Sequence, residues 1–247
     1  MIGYRGAMTD LVYPPVIGLA RGWFKALDMR ITVDGAQFVP TTGGAVLACN
    51  HVSYVDFIFA GLAARRSKRL VRFMAKQSIF ANRIAGPLMR GMKHIPVDRD
   101  AGMASYRDAL AALKRGEIVG VFPEATISLS FTVQAIKTGA ARMAAAAGVP
   151  LIPMALWGTQ RLWTKGRPRE LFKRHLPISI AVGEPMYPTR KDRQDDIGLV
   201  LRSRMTALLE KLQRGYPDTP AGPDDSWWQP AYLGGGAPHP DIEMAEE

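Results

Sequence analysis

His51 and Asp56 are the two residues whose types and spacing could do chemistry. They fall in the run Asn50-His51-Val52-Ser53-Tyr54-Val55-Asp56, directly after the apolar segment Ala45-Val46-Leu47-Ala48-Cys49. An imidazole titrates near neutrality, so it suits the removal of a proton from an attacking hydroxyl. A neighbouring carboxylate can hold the ring in one tautomer and stabilise the imidazolium that forms. With both residues inside one helix, five steps would turn about 500° and leave the side chains about 140° apart. The pair therefore works only if His51 precedes a helix and Asp56 lies in its first turn. Ser53 as N-cap, with Asp56 three residues on, reads as a capping box and predicts that placement. A His–Asp pair that does no more than cap a helix has the same spacing, so the rest of the chain must decide.

The elements that position the pair can be read from apolar runs and their punctuation. Gly43-Gly44 turns the chain into a strand over 45–49, and residues 31–33, 70–74, 117–122, 151–157 and 178–182 read as further strands. Helices are expected from about Pro15 to Leu27, over the buried run 57–64, over 77–92 with Pro87 interrupting, over 101–115 closed by Gly116, over 138–147 and over 193–214. Strands alternating with helices predict an α/β domain, a mixed sheet flanked by helices. We divide the chain into an N-terminal amphipathic segment, 1–30, an α/β domain, 31–216, and an acidic Pro/Gly-rich tail, 217–247. Trp227-Trp228 is too apolar for a free tail and should dock on the body.

Charge is distributed unevenly. The chain carries +10, yet residues 217–247 hold seven acidic residues and no Lys or Arg, which leaves +17 on residues 1–216. A body that basic favours anionic partners such as phosphorylated substrates, anionic lipids or nucleic acid. The single cysteine, Cys49, excludes an internal disulfide, and its place at a strand end reads as a small buried residue rather than a nucleophile. No His/Cys spacing suggests a metal site. No apolar stretch approaches the roughly 20 residues that span a bilayer. Residues 8–30, however, interleave Leu11, Leu19, Trp23 and Phe24 with Arg21, Lys25 and Arg30. That pattern fits a helix lying in a membrane interface and, equally, one packed on the domain.

Three fragments follow the His51–Asp56 run in order: Ile95-Pro96-Val97-Asp98-Arg99, then Val121-Phe122-Pro123-Glu124-Ala125-Thr126, then Val149-Pro150-Leu151-Ile152-Pro153. The four blocks together resemble the motif blocks of the glycerolipid acyltransferases that make phosphatidic acid from 1-acylglycerol-3-phosphate. The resemblance spans about residues 45–160, and more loosely to 190. It implies transfer of a long-chain acyl group from acyl-CoA or acyl carrier protein to the sn-2 hydroxyl, with His51 as base and Asp56 as its orienting partner. It also implies that Lys76 and Arg99 hold the acceptor phosphate and that Glu124 and Thr126 position the acceptor; Lys93 and Lys137 are candidate accessory cations. Arg90 and His94 lie close enough in sequence to contribute. No cofactor beyond the donor and no metal is expected, nor is nucleic acid as a partner. The protein is expected at the cytoplasmic face of the cell membrane, peripheral or monotopic, against an anionic lipid surface.

One departure matters. The family's third block commonly reads Glu-Gly-Thr-Arg, whereas this chain has Glu124-Ala125-Thr126-Ile127. The missing guanidinium keeps open an acceptor with another head group, a different lysophospholipid or a glycolipid. From another class, a non-catalytic basic module binding membranes or nucleic acid is the remaining alternative, although no helix-turn-helix, zinc or aromatic RNA-binding signature accompanies the charge.

Overall fold

The computed structural model describes residues 10–98 and 102–240, so Arg99 lies outside the described residues. Seven strands form one sheet in the order β1-β7-β6-β2-β5-β3-β4. They are β1 Arg30–Asp34, β2 Ala45–Cys49, β3 Val71–Lys76, β4 Ile95–Val97, β5 Ile118–Val121, β6 Leu151–Trp157 and β7 Pro177–Val182. Every neighbouring pair is parallel except β6 and β7. The sheet is therefore mixed, as expected from the alternation of strands and helices.

Central strands of such a sheet are covered on both faces, which is why they read as unbroken apolar runs. Strand side chains alternate between faces. Val46 and Ala48 of β2 accordingly join one core with Ala109 and Leu113 of α5 (Gly102–Lys114), Ala144 of α6 (Gly139–Ala147) and Met205 of α7 (Gln194–Arg214). Ala45, Leu47 and Cys49 join the opposite core with Phe24 of α1 (Tyr13–Ala26) and Phe59 of α2 (Asp56–Ala60). β2 is thus fixed by two cores and two neighbouring strands, a rigid base for whatever follows Cys49.

The structure corrects several boundaries. α1 starts at Tyr13, so Pro14 and Pro15 lie in its first turn, where a missing N–H costs nothing, instead of breaking it. Ser53 does not cap α2: the residue preceding that helix is Val55, and the run 57–64 divides into α2 and a 3-10 turn, Gly61–Ala64. Half of the capping box survives, because the Ser53 N–H donates to the Asp56 carboxylate at 2.8 Å. Residues 77–92 form two helices, α3 Gln77–Ala81 and α4 Ala85–Gly91. The break precedes Pro87 and comes at Asn82, whose side-chain oxygen accepts from the N–H groups of Ile84 and Ala85. β4 is a strand that the sequence did not announce, three residues long with a proline at its centre.

α1 packs on the body. Phe24 stacks on Phe59 at 4.8 Å, the Tyr13 hydroxyl donates to the Val71 carbonyl at 2.8 Å, and the Trp23 indole donates to the Leu171 carbonyl at 3.0 Å. No helix among the described residues is long and apolar enough to cross a membrane. The C-terminal segment also docks: Trp228 is 1 % exposed and lies under the Arg161 guanidinium at 4.4 Å. Two 3-10 turns, Pro223–Trp228 and Ala231–Leu233, supply local structure there despite the prolines.

Candidate active site

The parallel register brings the carboxyl ends of β2, β5, β3 and β4 to one edge. Ala48 pairs with Val121, Phe73 with Gly120, and Lys76 with Val97. Ligand clefts of open α/β sheets form at such edges. Asn50, the first residue beyond β2, ties the strand end to β6: its side-chain oxygen accepts from the Leu156 N–H at 2.7 Å and its amide donates to the Leu156 carbonyl at 3.1 Å. The next residue is His51.

The backbone of His51 is held from both sides. Its N–H donates to Glu124 Oε1 at 2.8 Å, and its carbonyl accepts from the Ser128 N–H at 2.9 Å. Its ring stacks on Phe122, centroids 4.3 Å apart, and Nδ1 meets Asp56 Oδ2 at 2.9 Å. Asp56 is fully buried. Oδ2 also accepts from the N–H groups of Val52 and Ser53, each at 2.8 Å, while Oδ1 accepts from the Thr159 hydroxyl at 2.5 Å. A carboxylate with these donors has one orientation open to it. With Nδ1–H donating to that carboxylate, the lone pair is on Nε2, the nitrogen needed to take a proton from a hydroxyl. The geometry is that of a general base with an orienting carboxylate, and Asp56 lies in the first turn of α2 as the spacing required.

Glu124 is buried, and its second oxygen accepts from the Gln134 N–H at 2.8 Å. It braces backbone amides, clamping the His51 turn to the 124–134 loop. Gln134 extends the brace by donating to the hydroxyls of Ser128 and Ser130. Thr126 is half-buried on the same loop. Ile127 is buried where the resembling family commonly has an arginine.

The cations divide into two groups. Lys76 is exposed at the end of β3, beside Val97, two residues before Arg99. Lys137 is also exposed, and its backbone N–H donates to the Pro123 carbonyl at 2.9 Å, so it stands beside the loop of Glu124. Lys93, by contrast, precedes β4 at the opposite end of that strand and lies 3.5 Å from Asp10. Arg90 donates to the Phe80 carbonyl. His94 is buried with Nδ1 accepting from the Phe73 N–H, and burial together with the Arg72 charge depresses its pKa to about 3. It is neutral and supplies no positive charge. Cys49 is buried, and burial next to Asp56 and Glu124 pushes its thiol well above the usual range, which leaves no thiolate to attack.

Aromatic rings lead away from the base. Phe122 stacks on Phe73, and Phe57 packs edge-on against both Phe73 and His94. Phe57 and His94 in turn line an apolar cavity of about 70 Å³ between α1 and the body, with Val16, Ile17, Ala20 and Leu62.

Sequence reasoning missed Asn50's brace, the Phe122 platform and Thr159. Thr159 is 103 residues from Asp56, and no local pattern could join them.

Comparison with known proteins agrees with this geometry. Residues 30–157 match the family model described as acyltransferase. The 1-acyl-sn-glycerol-3-phosphate acyltransferase of Bacillus subtilis is 30% identical over 185 residues, 74% of this chain and 85% of that enzyme. The enzyme of that name from Neisseria meningitidis is 31% identical over 157 residues, 62% of this chain and 59% of its own length. The crystal structure of the 1-acyl-sn-glycerophosphate acyltransferase PlsC from Thermotoga maritima superposes with a TM-score of 0.69 at 21% identity, covering 87% of this chain and 85% of that one, a likeness of fold. The His–Asp pair beyond the end of β2, with its carboxylate buried, and the matched span of sheet around it lead to one conclusion: this chain belongs to the acyltransferase family.

Proposed function

We propose that the chain transfers a long-chain acyl group from acyl-CoA or acyl carrier protein to the sn-2 hydroxyl of 1-acylglycerol-3-phosphate, giving phosphatidic acid. The observation that carries this reading is the His51–Asp56 contact, 2.9 Å, at the carboxyl edge of the sheet in a chain whose relatives bear that activity in their names. His51 Nε2 takes the hydroxyl proton as the oxygen attacks the thioester carbonyl. The tetrahedral intermediate collapses with loss of the C–S bond, and the imidazolium returns the proton to the departing thiolate. Lys76, with Arg99 and Lys137, attracts the acceptor phosphate. β3 is two strands from β2, roughly 10 Å at the usual strand spacing, a gap that a glycerol phosphate and a lysine side chain bridge together. Glu124 contributes by shaping the loop that carries Thr126.

The acceptor is a membrane lipid, so the enzyme works against a bilayer. Supporting this, Leu11, Leu19, Ile84 and Leu88 are exposed on or next to α1 and α4, the helices that the small cluster of Tyr13, Phe80 and Met89 joins. Arg21, Lys25 and Arg83 are exposed alongside. Apolar side chains rimmed by cations suit an anionic lipid surface on the cytoplasmic side. The buried Ile127 favours a second reading, an acceptor with another head group.

The test is thiol release from palmitoyl-CoA with and without 1-acylglycerol-3-phosphate, alongside His51→Ala. We expect release that depends on the acceptor, yields phosphatidic acid and falls about 10²–10⁴-fold in the variant. Release stimulated more strongly by a lysophospholipid lacking a phosphomonoester would favour the second reading. Wild-type turnover in a folded His51→Ala would remove the base and the mechanism with it.

A further inference from the structure

The buried turn after β6 is carried by residues outside the span that matches the family model, 30–157. Thr159 has no exposed surface, and its hydroxyl reaches Asp56 Oδ1 at 2.5 Å. It sits in the one-turn 3-10 helix Thr159–Arg161, entered through Gly158 at φ 104°. A side chain at Gly158 would place its Cβ 2.3 Å from the Pro177 carbonyl oxygen, so the entry to the turn admits no alternative residue.

The other two residues of the turn are held from the C-terminal segment. Gln160 accepts from the Gly158 N–H at 2.9 Å and donates to the Trp228 carbonyl at 3.2 Å. Arg161 is buried, stacks over the Trp228 ring at 4.4 Å and pairs with Asp218 at 2.7 Å. A path therefore runs from Trp228 through the side chains of Gln160 and Arg161, along the backbone of their turn to Thr159, and on through Asp56 to His51.

We propose that Thr159 is a positioning residue for the base, and that the C-terminal segment, through Trp228, clamps the turn that carries it. The hydroxyl hydrogen on Oδ1 stops the carboxylate rotating about its Cβ–Cγ bond, which keeps Oδ2 aimed at His51 Nδ1. Remove the hydroxyl and Oδ1 is left buried without that donor, the unfavourable side of the hydrogen-bond balance. The carboxylate then has reason to swing, and the imidazole loses its fixed tautomer. The inference rests on the acyl-transfer reading above.

The experiment is steady-state kinetics of the full chain with palmitoyl-CoA and 1-acylglycerol-3-phosphate, on Thr159→Val, Thr159→Ser, Asp56→Asn, the double variant Asp56→Asn/Thr159→Val, and Trp228→Leu, each also melted. Thr159→Val should lower kcat about 10- to 100-fold with KM nearly unchanged, and Thr159→Ser should restore most of it. In the Asp56→Asn background Thr159→Val should cost almost nothing further, because residues acting as one unit are not additive. Trp228→Leu should lower kcat less than Thr159→Val and in the same manner. A Thr159→Val loss of equal size in both backgrounds overturns the proposal, as does a folded Thr159→Val with wild-type kcat. A Thr159→Val that does not fold leaves Trp228→Leu to decide: a folded Trp228→Leu with wild-type kcat removes the coupling. Should Asp56→Asn itself turn over like wild type, the acyl-transfer mechanism fails first, and that outcome is distinct from failure at Thr159 alone.

Discussion

The pair expected to act as base and the cations expected to hold the acceptor phosphate stand at the same edge of the sheet, yet the chain builds them differently. Asp56 has no exposed surface, and its two oxygens receive His51, two backbone amides and the Thr159 hydroxyl. Lys76 and Lys137 are exposed, with their backbones fixed by strand register and by the Pro123 carbonyl but their ammonium groups in solvent. Proton abstraction needs one orientation of one nitrogen, so that part is over-determined. Attraction of a phosphate needs charge within reach, and a solvated lysine supplies it with little ordering beforehand. The difference teaches that a pair suited to proton abstraction is fixed by burial, while the cations suited to a phosphate form an adaptable rim.

The largest effect should fall on the rigid side. Asp56→Asn preserves volume but offers an amide where two backbone N–H groups and an imidazole need an acceptor. We expect kcat to drop on the order of 10³–10⁴-fold, as for other triads given the wrong tautomer, with KM for both substrates little altered. Initial rates at saturating donor and acceptor check this. A loss confined to KM would erase the distinction between the two regions.

Glu124→Gln comes next. One carboxylate oxygen becomes an NH₂ that faces a backbone N–H, either that of His51 or that of Gln134. A buried donor left opposing a donor costs roughly 1–3 kcal/mol. Thermal melting should show the loss, and kcat should fall with it because the same carboxylate fixes His51. At the rim, Lys76→Ala should act otherwise: KM for the acceptor rises about tenfold, kcat stays near wild type, and melting is unmoved. Since exposed charges are screened over a Debye length of about 8 Å at physiological ionic strength, raising salt should raise the wild-type KM and shrink the gap to the variant.

Much of this division was visible in the residues. The order of strands and helices, the buried run of β2 and the need for Asp56 to lie in a first turn all follow from local periodicity. The role of Glu124 as a brace was harder, because a carboxylate beside a strand end looks the same in sequence whether it meets substrate or backbone. The docking of Trp228 was legible from its apolarity, but Thr159 and the partners of Trp228 were illegible for a different reason. Their contacts close loops of 103 and 68 residues, and no pattern of neighbours encodes which distant hydroxyl will meet a buried oxygen. His94 misled by type, since a histidine in a basic stretch suggests charge, yet the fold buries it against Arg72's charge and keeps it neutral.

That histidine gives a pH test of the rigid side. In the unfolded chain it titrates near 6.5, whereas in the fold its pKa is depressed to about 3. Above pH 6.5 both states hold it neutral and it makes no difference. As pH falls from 6.5 toward 3 the unfolded chain takes up a proton that the fold refuses, so stability declines, by at most roughly 1.4 kcal/mol per unit. Urea titrations at pH 7 and pH 5 should show the decline, and His94→Phe should flatten it, provided the larger ring is accommodated beside Tyr13 and Phe73. An equal slope in the variant would assign the acid sensitivity elsewhere.

The smallest expected effect concerns the loop between the two regions. Ala125 has φ 58°, in the left-handed region where an L side chain is strained and where glycine is at ease. The resembling family commonly has glycine there. Relief of the strain is worth about 1–2 kcal/mol, against about 0.4–1 kcal/mol lost because glycine loosens the unfolded chain. Ala125→Gly should therefore stabilise by up to about 1.6 kcal/mol, read as a rise in the urea midpoint with an unchanged slope. Its kinetic consequence sharpens the contrast. Ala125 is exposed and follows Glu124, whose carboxylate is anchored to His51 and Gln134. The anchor fixes the base side, so kcat should hold. The freedom gained falls on Thr126, toward the rim, so any change should surface in KM for the acceptor. A fall in kcat with KM constant would mean that the strained alanine helps hold His51, and that the rigid region extends one residue further than its hydrogen bonds indicate.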